Sequence, residues 1–287
     1  MMMDFAHTDV FSVNEDMKKY MKFLFWNTNN NKKINNIIWH MVQEFDINIV
    51  ILAEYADDIN HLLKILEANN IYMGKCQMIN CKKLIIIGNV LGFSPGPQDD
   101  RFSFQIIQDK YILCAVHLNS RIYSEQQDRR KIIIGKINEY MQKLEKDLET
   151  DYTILVGDLN DNPYDQCCLS ASYLHGLPTK EDARRKSRTI EGRSFPIFYN
   201  PMWNFFGDFT YPPGTYYYEN SIPVNSFWHI LDQVMIRPSL IDSFVDKSLN
   251  IITETCDISL LNGKGRPDMN YSDHLPIMFE IKEDKNE

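Results

Sequence analysis

Short apolar and β-branched runs recur along this chain, and each is cut off by a side chain that carries a proton or a lone pair. Lys22–Trp26 stops at Asn27 and Thr28, Ile49–Ala53 at Glu54, and Tyr111–Val116 at His117. Tyr152–Val156 runs into Gly157-Asp158-Leu159-Asn160. Near the C-terminus the order is reversed, with Ser272-Asp273-His274-Leu275-Pro276 leading into Ile277–Ile281. Runs of this length and composition read as buried strands. Side chains alternate across a strand, so Asp158 and Asn160 share a side while Leu159 turns to the core. Gly157 lets the backbone pass close to a neighbour.

Each cluster taken singly has a structural alternative. Asp and Asn are common turn residues. An Asp-His pair before a strand suits a capped loop, and Glu54 could complement a helix dipole. His117 could be a hydrogen-bonded structural histidine. Asp232 lies inside the apolar run His229–Ile236, where an ionised carboxylate needs a partner. His274 could take or hold a proton near neutral pH. Repetition of the pattern at several strand mouths argues for one shared site.

Helical spacing of apolar residues appears over Ile34–Glu44, Ile59–Ala68 and Arg130–Leu148, the last with Ile133, Ile137, Tyr140, Met141, Leu144 and Leu148 as its apolar face. Leu84–Val90 and Arg101–Ile107 read as a strand pair around the Gly-Pro-rich loop Gly92–Pro97. The class is therefore α/β. At 287 residues, 44% of them hydrophobic, the chain can bury the core of one large domain. Residues 1–20 are expected to form a short extension and 21–287 the domain. No apolar segment has transmembrane length, and no signal-peptide core is visible near the start, so no membrane role is expected. The six cysteines lack zinc-site C-x-x-C spacing and are expected to be reduced, in a cytoplasmic protein.

In order along the chain, Trp26-Asn27, Leu52-Ala53-Glu54, Val116-His117-Leu118, Gly157-Asp158-Leu159-Asn160, Leu231-Asp232-Gln233-Val234 and Ser272-Asp273-His274-Leu275-Pro276 resemble the endonuclease/exonuclease/phosphatase family of metal-dependent phosphodiesterases, the deoxyribonuclease-I-like enzymes. The resemblance implies a four-layer α/β/β/α sandwich with two packed, mixed and mostly antiparallel sheets. It implies Glu54 as principal Mg2+ ligand, with Asn27 and Asp273 in support and Mn2+ as the alternative ion. Asp158 and Asn160 would hold the attacking water, Asp232 would orient His274, and His117 would serve a phosphate oxygen or the leaving group. The chain departs from the pattern at Ala53, where many members carry Gln, and offers no clear partner for His117. His229 is given only a weak substrate role.

Between Leu169 and Asn225 lie Arg184-Arg185-Lys186, Arg188 and Arg193, followed by Phe198 to Trp203. Basic residues beside aromatics suit a nucleic-acid strand, so Arg184, Arg185, Arg188, Arg193 and Trp203 are expected to bind substrate. A solvated loop packed by its own aromatics is the alternative. The formal charge of −9 weakens long-range attraction for a polyanion. A nuclease acting on DNA or RNA is the favoured expectation. A phosphatase or phosphodiesterase for a small phosphorylated molecule or phospholipid headgroup is the alternative, and a catalytically silent binding protein the third reading.

Overall fold

A computed structural model describes residues 20–90, 92–120, 124–221, 223 and 225–283. The expected extension at 1–20 lies almost wholly outside the described residues.

Two large sheets face each other. The strands of the first are β1 (Tyr20–Asn27), β2 (Ile49–Ala53), β3 (Gly74–Lys75) and β4 (Leu84–Gly88). The second starts with β5 (Phe93–Asp99), β6 (Phe102–Ile107), β7 (Tyr111–His117) and β8 (Thr153–Asp158), and continues through β9 (Gly176–Leu177), β10 (Phe198–Tyr199) and β11 (Asp232–Ile236). The chain then returns to the first sheet for β12 (Asn250–Ile251) and β13 (Ile277–Lys282). The first sheet has the order β12-β13-β1-β2-β4-β3 and the second β5-β6-β7-β8-β11-β10-β9. The pairs β1/β2, β7/β8 and β9/β10 are parallel, and the other neighbours are antiparallel. Parallel neighbours need a crossover. The helices α1 (Asn35–Glu44) and α3 (Ser124–Asp147) supply it for β1/β2 and β7/β8, while α2 (Ile59–Ala68) follows β2.

Strand alternation sorts the apolar residues into three cores. Phe23, Phe25, Ile49, Ile51, Leu113, Ala115, Ile154, Val156, Val234 and Ile236 fill the space between the sheets. Leu24, Trp26, Val50 and Leu52 point the other way and meet α1 and α2. Cys114, Val116 and Leu155 meet Ile134, Ile137 and Met141 of α3. The result is the expected four-layer sandwich, with its central strands buried on both faces.

Two local expectations are corrected. Leu84–Gly88 and Phe102–Ile107 are not partners, because they belong to different sheets. The Gly-Pro-rich segment is itself the strand β5, which pairs with β6 through an irregular register between Pro95 and Gln98. An edge position lets Pro95 and Pro97 do without a donor on the outer side. On α3, Ile134 is fully buried and Tyr140 is 40% exposed, so the inner face is rotated from the one read in sequence. All six cysteines are free, five of them buried.

At Gly157 the chain passes so close to β7 that an added Cβ would stand 1.9 Å from the Val116 carbonyl oxygen. The backbone there has φ +153°, and the two nearest atoms are main chain, which cannot yield cheaply. We expect Gly157→Ala to cost about 3 kcal/mol or more, seen as a lower urea midpoint with unchanged m-value; an unchanged midpoint would contradict the geometry.

Candidate active site

The polar residues that end the strands converge at one mouth of the sandwich. Asn27, His117, Asp158 and Asp232 continue the alternation of Phe25, Ala115, Val156 and Val234, so each points into the gap between the sheets where apolar packing stops. The register sets His117 and Asp232 on either side of Asp158. Across the gap, Asn27 Nδ2 donates to Asp158 Oδ2 at 3.0 Å, joining the two sheets.

Asp158 is 1% exposed, and both its oxygens are engaged. Oδ1 accepts from the Asn160 backbone N–H at 2.9 Å, and Oδ2 also accepts from Asn160 Nδ2 at 3.1 Å. Burial pushes the Asp158 carboxyl up, and Asp232 adds to this, against the lowering by His274, His117 and the Asn160 N–H. Asn160 has φ 51°, a left-handed conformation that Asn tolerates better than most residues.

The Ser272-Asp273-His274 loop is fastened to β1. Ser272 Oγ donates to the Asn27 carbonyl at 2.7 Å, His274 N donates to Ser272 Oγ at 3.1 Å, and Trp26 Nε1 donates to the His274 carbonyl at 2.9 Å. The His274 Nδ1–Asp232 Oδ2 distance is 2.8 Å, and both residues are buried. Burial alone would lower the His274 imidazole. The charge and hydrogen bond of Asp232, with Asp158 and Asp273, outweigh burial and carry it to about 10. His117 Nε2 lies 3.2 Å from Glu54 Oε1 and 3.7 Å from Asp158 Oδ2, which supplies the partner missing from the sequence reading.

Glu54 leaves β2 with φ 48°, and its Oε2 accepts from Asn30 Nδ2 at 2.8 Å. The hydrogen bond from His117 holds the Glu54 carboxyl below its usual range against partial burial. Burial, Asp232 and Glu54 raise Asp273. Four carboxylates thus share a cleft with two imidazoles. Asn27, Glu54 and Asp273 offer oxygen donors of the kind a hard divalent cation prefers. Asp158, Asp232 and His274 also bring one ligand atom each within 4.8 Å of one another. In that trio, however, Asp158 Oδ2 already accepts from the Asn27 and Asn160 amides and His274 is bonded to Asp232, so the Glu54 side fits an ion better.

Three further residues near the site were given no role in the sequence, although Gly214-Thr215-Tyr216 resembles a Gly-Thr-Tyr/Trp stretch that many members of the family carry upstream of the Asp232 strand. Tyr216, the last residue of that stretch, forms an isolated bridge with His274 and places its ring 4.8 Å from the imidazole. Burial, with Asp273, Tyr218 and Asp158, raises its phenol to about 12. Asn162 Oδ1 accepts from Ile230 N–H at 2.9 Å, and its Nδ2 lies 3.1 Å from His229 Nδ1. Buried Arg130 lies behind the Asp158 loop. Only spacing relative to Asp158 hinted at Asn162; nothing in sequence marked Arg130 apart from other charged residues of α3.

The expected basic contact surface is elsewhere. Arg184 is held by Asp242 at 2.6 and 3.0 Å, and Arg185 by Asp182 at 3.1 Å. Arg188 and Arg193 lie on the exposed hairpin Ser187–Ile190/Arg193–Pro196. Its base joins Arg237 and Asp151, beside the start of β8 and the end of β11. Asp158 is at the other end of β8, roughly 17 Å along the strand. These arginines are not brought to the cleft, because local carboxylates and the sheet topology hold them away. Trp203 is at the site end, its ring 6.5 Å from Tyr164, a residue of the loop after Asn160.

No family model matches the sequence, and no curated protein matches it. Solved structures do match. An AP endonuclease from Archaeoglobus fulgidus aligns with TM-score 0.56 at 11% identity, over 92% of this chain and 100% of that one. The 3′ phosphatase NExo from Neisseria, bound to product DNA hairpin, gives 0.54 at 14%, over 92% and 100%. D. rerio TDP2 complexed with single-strand DNA product gives 0.50 at 15%, over 93% and 100%. The chain has the deoxyribonuclease-I-like fold.

Removing one member of a buried ion pair costs about 3–5 kcal/mol, because the other is left as an unpaired charge. We expect His274→Ala to fall in that range and Asp232→Asn/His274→Ala to recover part of the loss. Urea unfolding measures both; equal midpoints for single and double variants would show that the pair is not charged in the folded protein.

Proposed function

We propose that the protein is a divalent-metal-dependent phosphodiester hydrolase acting on nucleic acid. The observation that supports it most is the convergence of Asn27, Glu54, His117, Asp158, Asn160, Asp232, Asp273 and His274, from distant segments, at one cleft. The fold shared with DNA-processing enzymes agrees with this reading.

In this proposal Asp158 and Asn160 hold the water that attacks phosphorus. The raised Asp158 carboxyl suits the acceptance of a proton from that water. His274, kept charged by Asp232, donates a hydrogen bond to a non-bridging oxygen and offsets the charge that grows there. His117 leans towards the same face and serves the leaving oxygen. Glu54, Asp273 and the Asn27 side-chain carbonyl would hold Mg2+, or Mn2+ in its place. Bound there, the ion would supply Lewis-acid polarisation of the phosphate and fix its orientation.

Exposed Tyr218 and Phe227, on the loops that flank Tyr216 and His229, offer stacking faces for bases. They favour a nucleic-acid strand. The formal charge of −9, with Arg184 and Arg185 already paired, favours a small phosphorylated substrate as the second reading.

A panel of single- and double-stranded DNA, abasic DNA, RNA and inositol phosphates, assayed with Mg2+ and with EDTA, tests the proposal. Cleavage of a nucleic acid should vanish in EDTA, and Asp158→Ala or His274→Ala should each lower kcat/KM by about 10³-fold or more. Full activity in either variant refutes the mechanism, and phosphate release from small substrates alone selects the second reading.

A further inference from the structure

Arg130 does not face the cleft, yet it joins two of the loops that build it. It enters from α3, the crossover between β7 and β8, and is 3% exposed. Its Nη1 donates to the Asn160 carbonyl at 2.9 Å and to the Asn119 carbonyl at 3.3 Å, while Nη2 lies 3.3 Å from Asp161 Oδ1. Asp161 is itself buried. One planar guanidinium therefore grips the backbone just after Asp158 and the backbone just after His117. Only arginine offers several donors in a fixed fork of that shape.

What Arg130 holds is the residue on which the Asp158 carboxylate depends. Asn160 sends its backbone N–H to Asp158 Oδ1 and its side-chain amide to Asp158 Oδ2 and the Leu118 carbonyl. Leu118 N–H in turn donates to the Asp158 carbonyl at 2.8 Å. The Asn160 carbonyl lies in the following peptide, so the anchor fixes where the loop leaves Asn160; without it the whole left-handed residue is free to shift and carry both donors away from the Asp158 carboxylate. The guanidinium supplies that anchor from the side away from the cleft.

We propose that Arg130 is a positioning residue of the hydrolytic site, fixing the loop at Asn160 so that Asp158 and Asn160 present one water-holding geometry. The inference rests on the function proposed above. A purely structural ion pair with Asp161 is the competing role, and the two separate in the double variant Arg130→Met/Asp161→Asn. Arg130→Met alone strands the buried Asp161 carboxylate and should unfold at a markedly lower temperature. The double variant removes both charges and should regain most of that loss.

At restored stability, the positioning role leaves the double variant with kcat about 10²-fold below the parent protein and with KM unchanged, since Arg130 touches no substrate. Arg130→Lys, which keeps the charge without the fork, should likewise be stable but deficient in kcat. Independently of turnover, amide hydrogen exchange at Asn160 and Leu118 should speed up at least about tenfold in the double variant while Val234 is unchanged. Parental kcat in a stable double variant, or unchanged exchange at Asn160 and Leu118, overturns the inference. If the parent protein cleaves none of the substrates, the proposed function falls, while the exchange data still decide whether Arg130 holds this loop.

Discussion

Asn27, His117 and Asp158 occupy the next inward-facing position after the last inward apolar residue of their strands, and Asp232 the position before the first. That placement is a matter of pleat parity: a side chain two residues from Phe25, Ala115, Val156 or Val234 must point into the same gap between the sheets. Shifting any strand by one residue would send its polar end outwards and bring a core residue to the mouth. The inter-sheet core therefore does more than stabilise the fold. By fixing register in both sheets, it fixes which atoms meet at the site.

The same placement creates an electrostatic demand. Asp158 and Asp232 are buried side by side, and Glu54 and Asp273 stand close enough to influence the groups around them. Buried carboxylates survive when their oxygens accept hydrogen bonds and opposite charge is near. Here the Asn160 N–H, the Asn27 and Asn160 amides and two imidazoles meet part of that need. The remaining negative charge lies towards Glu54 and Asp273, where oxygen donors are gathered. In the proposed reaction, a cleft built this way would attract a cation first and a phosphate through it.

The strands and the polar residues that end them were legible because both signals are local. Five apolar residues followed by Glu54, or a glycine followed by Asp158, can be recognised without knowing the fold. Helix α2 was legible to its ends for the same reason, since Asp58 caps it by accepting from Asn60 N–H. The pairing of β5 was not, because Pro95 and Pro97 mimic a loop and only an edge position reconciles them with a strand. Arg184, Arg185, Arg188 and Arg193 looked like a substrate surface because clustered charge is visible in sequence, whereas Asp242 is more than fifty residues away along the chain. Arg130 was invisible for the opposite reason: an arginine on an amphipathic helix reads as outer-face charge, and only the tertiary contact with Asp161 shows it buried.

The diverted arginines also bear on how an acidic protein could handle a phosphodiester. With Arg184 and Arg185 neutralised locally and the basic hairpin at the far end of the sheet, long-range attraction for a polyanion is weak. Binding would then depend on contacts made inside the cleft: charged His274, a divalent ion beside Glu54, and aromatic rings around Tyr216. Each of these acts over a few ångströms and in a dry environment, where a single well-placed charge is worth more than several exposed ones. A site of this kind gives up speed of encounter and gains discrimination, because a phosphate that fails to reach His274 and the Glu54 side finds little else to hold it.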